Sequence, residues 1–123
     1  PNKRPMSSMT PTIIFKDKNL FALTGSPGGT SIINYVTKSV LGLIDWGLDP
    51  SEVTELPHYM NRGNYTELEK NTVLENLATE LESLGHPIKI QNKRSGLHIA
   101  LKKGNGYIGS ADPRREGLVI TFN

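Results

Sequence analysis

Residues 12–29 read TIIFKDKNLFALTGSPGG, and this stretch decides the fold. Its two apolar runs, residues 12–15 and 20–24, flank a polar segment at residues 16–19, a pattern typical of a β-hairpin. Both runs are almost continuously apolar rather than alternating, which predicts strands that are covered on both faces inside a layered sheet. The hairpin leads into the glycine-rich residues 25–29, where we expect a tight turn.

Helical periodicity begins directly after this turn. Apolar residues at three- and four-residue steps predict a helix over residues 30–46, which Gly47 ends. Asp49 as the cap and Pro50 at the first position predict a short second helix, which Pro57 ends. The positions of the first helix that we expect in the core are Ile32, Ile33, Val36, Val40, Leu43 and Ile44, together with Trp46.

The second half of the chain predicts one further helix and several strands. Residues 57–65 show no period and are interpreted as a loop. A cap at Asn71 or Thr72, an apolar stripe and a stop at Gly85 predict the third helix. Strands bounded by Gly, Asn or Lys clusters are expected at residues 87–91, 97–101, 107–110 and 118–122.

This order of hairpin, helices and strands indicates an α+β protein or a layered arrangement of sheet and helices, rather than a repeat or a βαβ array. The 123 residues suit a single domain, because domains cluster at about 100–150 residues. We therefore expect residues 1–123 to form one unit.

Composition argues against several classes of function. With 14 basic and 12 acidic side chains the net charge is only +2, too small for a surface that binds nucleic acid. No apolar run approaches the ~20 residues of a membrane span, and no intact export signal is expected. The absence of cysteine removes disulfides, thiolate metal sites and cysteine nucleophiles. His58, His86 and His98 have no carboxylate at ligand spacing, so neither a metal site nor a cofactor is predicted.

The glycine-rich turn is the first candidate for chemistry. It joins a strand to a helix N-terminus, where the first amides lack partners inside the helix and carry the positive end of its dipole. Gly28 and Gly29 allow close approach to a ligand and let successive N–H groups point the same way, as an oxyanion hole or a phosphate cradle requires. The alternative is a purely structural turn with a glycine cap. The spacing fits neither a P-loop nor a dinucleotide fingerprint.

A second candidate precedes the hairpin. Ser7, Ser8 and Thr10 place three hydroxyls in four residues, and hydroxyls can donate to a carboxylate and accept from an ammonium group. They suit a small zwitterion, although an ordinary polar loop would have the same composition. Residues 112–116, DPRRE, are interpreted as a charged turn between strands.

Four blocks together resemble the γ-glutamyltranspeptidase family, in matching order and spacing along nearly the whole chain. They are KRPMSSMTPTI at residues 3–13, TGSPGG at residues 24–29, IDWGL at residues 44–48 and GSADPR at residues 109–114. Members of this family are N-terminal-nucleophile hydrolases that share a four-layer αββα sandwich. The resemblance implies that the chain is the C-terminal part of the small subunit and is incomplete on its own.

The resemblance also implies roles for matched residues. In the family, a precursor cleaves itself, and the threonine that this exposes attacks the γ-glutamyl amide of glutathione and related compounds. Ser7 and Ser8 align with the serine pair that binds the carboxylate of the γ-glutamyl group. Gly28 and Gly29 align with the pair whose N–H groups form the oxyanion hole. A periplasmic or extracellular location is implied as well.

Other parts of the family pattern are missing or altered. No nucleophilic Thr-Thr-His block occurs in these 123 residues, so we expect the chain alone to be inactive and its partner to be the rest of the enzyme. The family's Pro-Arg-Phe-His-His block is PHYMN here, at residues 57–61. A homo-oligomer is a further expectation, because unpartnered strands promote pairing. The alternative function is a self-standing, non-catalytic binding or structural module.

Overall fold

The computed structural model describes residues 1–122, which divide into two compact units. The first consists of residues 1–55 and 95–122, and the second of residues 56–94. The prediction of a single domain stays a prediction.

Residues 1–122 form seven strands and three helices. The strands are β1 (Thr12–Lys16), β2 (Asn19–Gly25), β3 (Tyr59–Asn61), β4 (Thr66–Glu69), β5 (Ile88–Gln91), β6 (His98–Lys103) and β7 (Gly106–Ala111). The helices are α1 (Ile32–Ile44), α2 (Pro50–Glu55) and α3 (Ala78–Ser83), with 3₁₀ turns at Gly29–Ser31 and Val73–Leu77.

The first unit is built on an antiparallel sheet in the order β1-β2-β6-β7, so the predicted hairpin is confirmed. Register places Ala22 opposite Leu101, and the neighbouring pair points to the other face. On the inner face, Ala22 and Ile99 pack with Leu43 of α1 and Val53 of α2. These helices therefore cover one side of the sheet, as their apolar periodicity predicted.

The outer face of this sheet is only partly covered within residues 1–122. Ile13 is 60% exposed and Leu23 is 38% exposed, so the expected cover on both faces is not met there. Residues 118–122 do not form a strand, contrary to the prediction. Val119 instead lies across the outer face, close to Gly109. A segment that packs on the face of a sheet gains no ladder of backbone hydrogen bonds, although its apolar composition is that of a strand.

Helix α1 follows its predicted period only in part. Ile32, Val36 and Leu43 are buried, but Ile33 and Ile44 are more than half exposed. Trp46, expected in the core, is 50% exposed. The helix buries the face that carries Tyr35, Ser39 and Gly42, because the small residues there allow close approach to its neighbours.

The second unit holds a three-stranded sheet in the order β3-β4-β5, with β3 antiparallel and β5 parallel to β4. The predicted loop at residues 57–65 was wrong where β3 forms. Thr72 caps the next segment through its hydroxyl, which accepts a hydrogen bond from the N–H of Leu74 at 3.3 Å. The single helix predicted there is a 3₁₀ turn followed by α3, and neither contains a buried residue.

No helix among residues 1–122 is long and apolar enough to cross a membrane.

Candidate functional site

The glycine turn between β2 and α1 has the backbone that its sequence predicted. Gly28 has a φ of +142° and Gly29 a φ of +58°, values that L side chains rarely adopt. The Gly28 carbonyl accepts from the N–H of Ser31 at 3.2 Å. Among residues 1–122, the amides of Gly28 and Gly29 donate no hydrogen bond to another residue. The turn therefore holds two adjacent amide donors that are free to bind an anionic oxygen.

Packing fixes one side of this turn. A Cβ built on Gly28 would lie 2.7 Å from Cε2 of Tyr35, so the aromatic ring leaves no room for a side chain. A Cβ on Gly29 would meet nothing within 4 Å. The two glycines are thus required for different reasons, Gly28 for space and conformation and Gly29 for conformation alone.

The serine run before β1 is held only by local bonds. Ser7 is exposed, and its hydroxyl accepts a hydrogen bond from the N–H of Met9 at 3.2 Å. The Ser8 carbonyl accepts from the Thr10 hydroxyl at 2.7 Å, while the Ser8 hydroxyl bonds to no residue among those described. No hydrogen bond among residues 1–122 joins this run to the glycine turn. Both belong to the first unit.

Asp112 is the carboxylate that sequence reasoning misplaced. The turn predicted within residues 112–116 is present, and in it the N–H of Arg115 donates to the Asp112 carbonyl at 3.3 Å, but the Asp112 side chain is 0% exposed. Its Oδ2 accepts from the Ser95 hydroxyl at 2.5 Å and from the N–H of Leu97 at 3.2 Å. Its Oδ1 accepts from the N–H of Arg114 at 2.9 Å and from its Nη1 at 3.1 Å. The same Nη1 also donates to the Thr54 carbonyl at 2.8 Å.

Burial by itself raises the pKa of Asp112, but the hydrogen bonds from Ser95, Arg114 and Leu97 and the charge of Arg114 outweigh it. The pKa of this carboxyl is therefore held below its ordinary value. The GSADPR block, which matches the family pattern, already marked Asp112 and Arg114 as residues of interest. Nothing in the sequence near Ser95 predicts that its hydroxyl bonds to a carboxylate 17 residues away.

The histidines do not converge on a metal site. Within residues 1–122, no group of three or more His, Cys, Asp or Glu side chains could hold a metal ion. His58, in the block that departs from the family pattern, is fully buried, and its backbone N–H donates to the Glu69 carboxylate at 2.7 Å.

Comparison with known proteins supports the resemblance found in the sequence. The family model described as gamma-glutamyltranspeptidase matches residues 1–122. The glutathione hydrolase proenzyme of Bacillus subtilis is 36% identical over 129 residues, which cover 100% of this chain and 22% of that protein. The glutathione hydrolase proenzyme of Escherichia coli is 37% identical over 117 residues, which cover 93% of this chain and 20% of that protein.

Solved structures show the same fold. A mutant γ-glutamyltranspeptidase of Helicobacter pylori superposes with a TM-score of 0.82 at 32% sequence identity, covering 93% of this chain and 64% of that one. The α+β architecture predicted from the sequence, as part of an N-terminal-nucleophile hydrolase fold, is confirmed. The chain spans about a fifth of the length of the curated relatives it matches.

Proposed function

The chain belongs to the γ-glutamyltranspeptidase family, and we propose that it forms part of an enzyme that cleaves the γ-glutamyl amide of glutathione. The enzyme would transfer the γ-glutamyl group to amino acids, peptides or water. Within it, this chain would supply an oxyanion hole and part of the pocket for the γ-glutamyl carboxylate. The names of the relatives support this activity, and a periplasmic or extracellular location is part of the same proposal.

The observation that carries the proposal is the pair of unbonded amides at Gly28 and Gly29. When a nucleophile attacks an amide carbonyl, negative charge develops on the carbonyl oxygen. Two amide donors on a turn whose shape is already fixed can stabilise that charge without rearranging during the reaction. This stabilisation is much stronger in the transition state than in the ground state, because the ground-state carbonyl oxygen carries no full charge.

The serine run would have a different task. The hydroxyls of Ser7 and Ser8 would donate to the substrate's α-carboxylate, which is negatively charged before, during and after the reaction. Their contribution would therefore be the same in the ground state and the transition state. The exposed and half-buried positions of these serines leave them accessible to such a ligand.

The covalent step would come from residues outside this sequence. The family's threonine nucleophile splits acyl transfer into two easier steps, and no matching block occurs in residues 1–123. We expect the purified chain not to release p-nitroaniline from γ-glutamyl-p-nitroanilide. Turnover that survives chemical blocking of the Pro1 amine would contradict this expectation.

The outer face of the first sheet offers a place for the rest of the enzyme. Ile13 and Phe15 are 60% and 64% exposed, and both lie on the edge strand β1. An apolar edge of this kind promotes pairing with another chain. We expect the remaining part of the enzyme to cover it, and a second copy of this chain to do so when the chain is alone. Sedimentation equilibrium of the isolated chain would show a strict monomer if this is wrong.

A matched set of variants of the whole enzyme tests the division of roles. Gly29→Val should lower kcat by about 10²–10³ with little change in KM, since valine does not readily adopt the φ of +58° and the backbone amide would be displaced from its position as an oxyanion donor. Gly104→Val is the control, because Gly104 has the same φ of +58° and equally open surroundings but lies in the turn between β6 and β7. The double variant Ser7→Ala, Ser8→Ala should instead raise KM. If Gly29→Val and Gly104→Val behave alike, the oxyanion role is wrong.

A further inference from the structure

We infer that Ser26 is a positioning residue for the oxyanion turn, acting as the near end of a brace whose far end is the buried carboxylate of Asp112. The brace consists of Ser26, Ser95, Gly96 and Asp112. This inference rests on the proposed role of Gly28 and Gly29 as oxyanion donors.

The far end of the brace is fixed by burial and by the number of bonds. Asp112 accepts four hydrogen bonds, and one of them comes from the Ser95 hydroxyl at 2.5 Å. Ser95 itself is 0% exposed. The N–H of Asp112 also donates to the Leu97 carbonyl at 2.8 Å, so both neighbours of Gly96 are bound to Asp112, Ser95 through its hydroxyl and Leu97 through its backbone. Residues 95–97 therefore have little freedom to move.

The middle of the brace is the contact between residues 95–97 and the turn. The N–H of Gly96 donates to the Ser26 hydroxyl at 3.1 Å, across 70 positions of sequence. The Ser26 hydroxyl in turn donates to the Pro27 carbonyl at 2.8 Å. A Cβ on Gly96 would lie 2.8 Å from Cγ of Pro27, so the glycine is in close contact with the proline ring. One hydroxyl thus ties the rigid segment to the residues immediately before Gly28.

The near end of the brace is the peptide that presents the first oxyanion amide. The N–H of Gly28 belongs to the peptide whose carbonyl is that of Pro27, and this carbonyl is the one that Ser26 binds. The ring of Tyr35 packs against Gly28, the next residue. The peptide is therefore held by both a hydrogen bond and an aromatic ring. An oxyanion hole gains its effect from donors that are already in place, so loosening this peptide should slow the chemical step.

The test compares Ser26→Ala with Ser26→Thr in the whole, self-processed enzyme, with rates normalised to the amount of mature protein. Ser26→Ala should lower kcat about three- to tenfold, the usual weight of one neutral hydrogen bond, with KM unchanged. Ser26→Thr keeps the hydroxyl and should recover most of the rate. Ser83→Ala is the matched control, because the Ser83 hydroxyl also donates to a backbone carbonyl, that of Glu80 at 2.7 Å, but on the exposed helix α3.

A second readout does not depend on turnover. In Ser26→Ala the amide of Gly96 loses its acceptor, so its hydrogen exchange should be faster than in the wild type and in Ser26→Thr. A γ-glutamyl boronate, which mimics the tetrahedral state, should bind Ser26→Ala more weakly by the same factor as the loss in kcat. The affinity for γ-glutamyl substrate analogues that remain planar should not change.

The outcomes separate this inference from the proposed function. If Ser26→Ala leaves kcat within twofold of the wild type or raises only KM, while Gly29→Val lowers kcat, the brace is wrong and the oxyanion role stands. If Gly96 exchange is unchanged in Ser26→Ala, the brace is also wrong. If Gly29→Val loses no more activity than Gly104→Val, the proposed function itself fails.

Discussion

Each of the two compact units contains a buried carboxylate that forms an ion pair, and these two carboxylates, Asp112 and Glu67, are bound by different kinds of donor. In the first unit, Asp112 is bound by a hydroxyl, two backbone N–H groups and one guanidinium. In the second unit, Glu67 is bound by the side chains of Lys93 and Arg62. Both carboxylates are nearly inaccessible, with 0% and 5% of the side chain exposed.

The difference decides what each carboxylate can do for the protein. A side-chain donor and its acceptor can both be replaced by apolar residues, and no buried polar group is then left without a partner. Backbone donors remain whatever residue is substituted, so removing Asp112 leaves the buried N–H of Leu97 and the partly buried N–H of Arg114 without this acceptor. Two of the donors at Asp112 are therefore backbone N–H groups that no substitution removes, whereas the partners of Glu67 are side chains that can be replaced.

The largest effect is expected for Asp112→Ala. Removing one partner of a buried ion pair costs about 3–5 kcal/mol, and the orphaned amides here place the loss at the upper end. We expect this loss in the opening free energy of residues 95–101, measured by hydrogen exchange of the whole enzyme. Asp45→Ala is the control, since Asp45 is exposed at the end of α1 and surface changes stay within about 0.5 kcal/mol. A loss below about 1 kcal/mol would refute the role given to Asp112.

The same contrast explains what the sequence could and could not predict. The hairpin, α1, α2 and the glycine turn follow from local signals: apolar runs, helical spacing, a proline start and adjacent glycines. Strand β4 was missed because its residues, TELE, include two glutamates, and glutamates normally lie at the surface. Their burial depends on partners such as Lys93, which is 26 residues away from Glu67.

The candidate site divides in the same way. Gly28 and Gly29 could be found from the sequence because the turn carries its own conformational requirement. Asp112 could not be placed, since a DPRR segment has the composition of a surface turn and its burial depends on contacts with Thr54 and Ser95. Residues 118–122 show the reverse error, because an apolar run predicts a strand even when no neighbouring strand pairs with it.

A smaller effect, and one that can be reversed, is expected in the second unit. Lys93→Met leaves the Glu67 carboxylate with Arg62 alone and should lower the opening free energy of residues 66–69 by about 2–3 kcal/mol. Adding Glu67→Leu removes the remaining buried charge and should bring the value to within about 1 kcal/mol of the wild type. Arg62 tolerates the loss of the Glu67 carboxylate because 25% of its side chain is exposed to water.

The matching double variant in the first unit is Asp112→Leu with Arg114→Met. It should not recover, because the amide donors of Leu97 and Arg114 persist in any sequence. Hydrogen exchange of each double variant beside its own two single variants gives both coupling energies; the singles are Asp112→Leu and Arg114→Met in the first unit, and Lys93→Met and Glu67→Leu in the second. If the opening free energy recovers equally in both double variants, the distinction between backbone donors at Asp112 and side-chain donors at Glu67 is wrong.

The smallest effect is the dependence of stability on pH. Burial raises the pKa of Glu67, but the hydrogen bonds and charges of Lys93 and Arg62 outweigh it, so the pKa lies below its ordinary value, as it does for Asp112. A carboxyl that is more acidic in the folded than in the unfolded chain stabilises the fold above its unfolded pKa. That contribution is lost as the pH falls through the folded value. Acidification below about pH 4 should therefore weaken both units, with a slope of at most ~1.4 kcal/mol per pH unit for each carboxyl.

The two units can be separated within this acid response. In the Lys93→Met, Glu67→Leu double variant, the opening free energy of residues 66–69 should lose its Glu67-dependent slope between pH 3 and pH 5, while residues 95–101 should keep theirs through Asp112. Hydrogen exchange corrected for the intrinsic rate at each pH measures both segments in one sample. The wild type and the double variant share every other carboxyl, so the difference between their slopes belongs to Glu67. A wild-type protein that becomes more stable on acidification would contradict the direction of both pKa shifts, and an unchanged slope at residues 66–69 would contradict that of Glu67 alone.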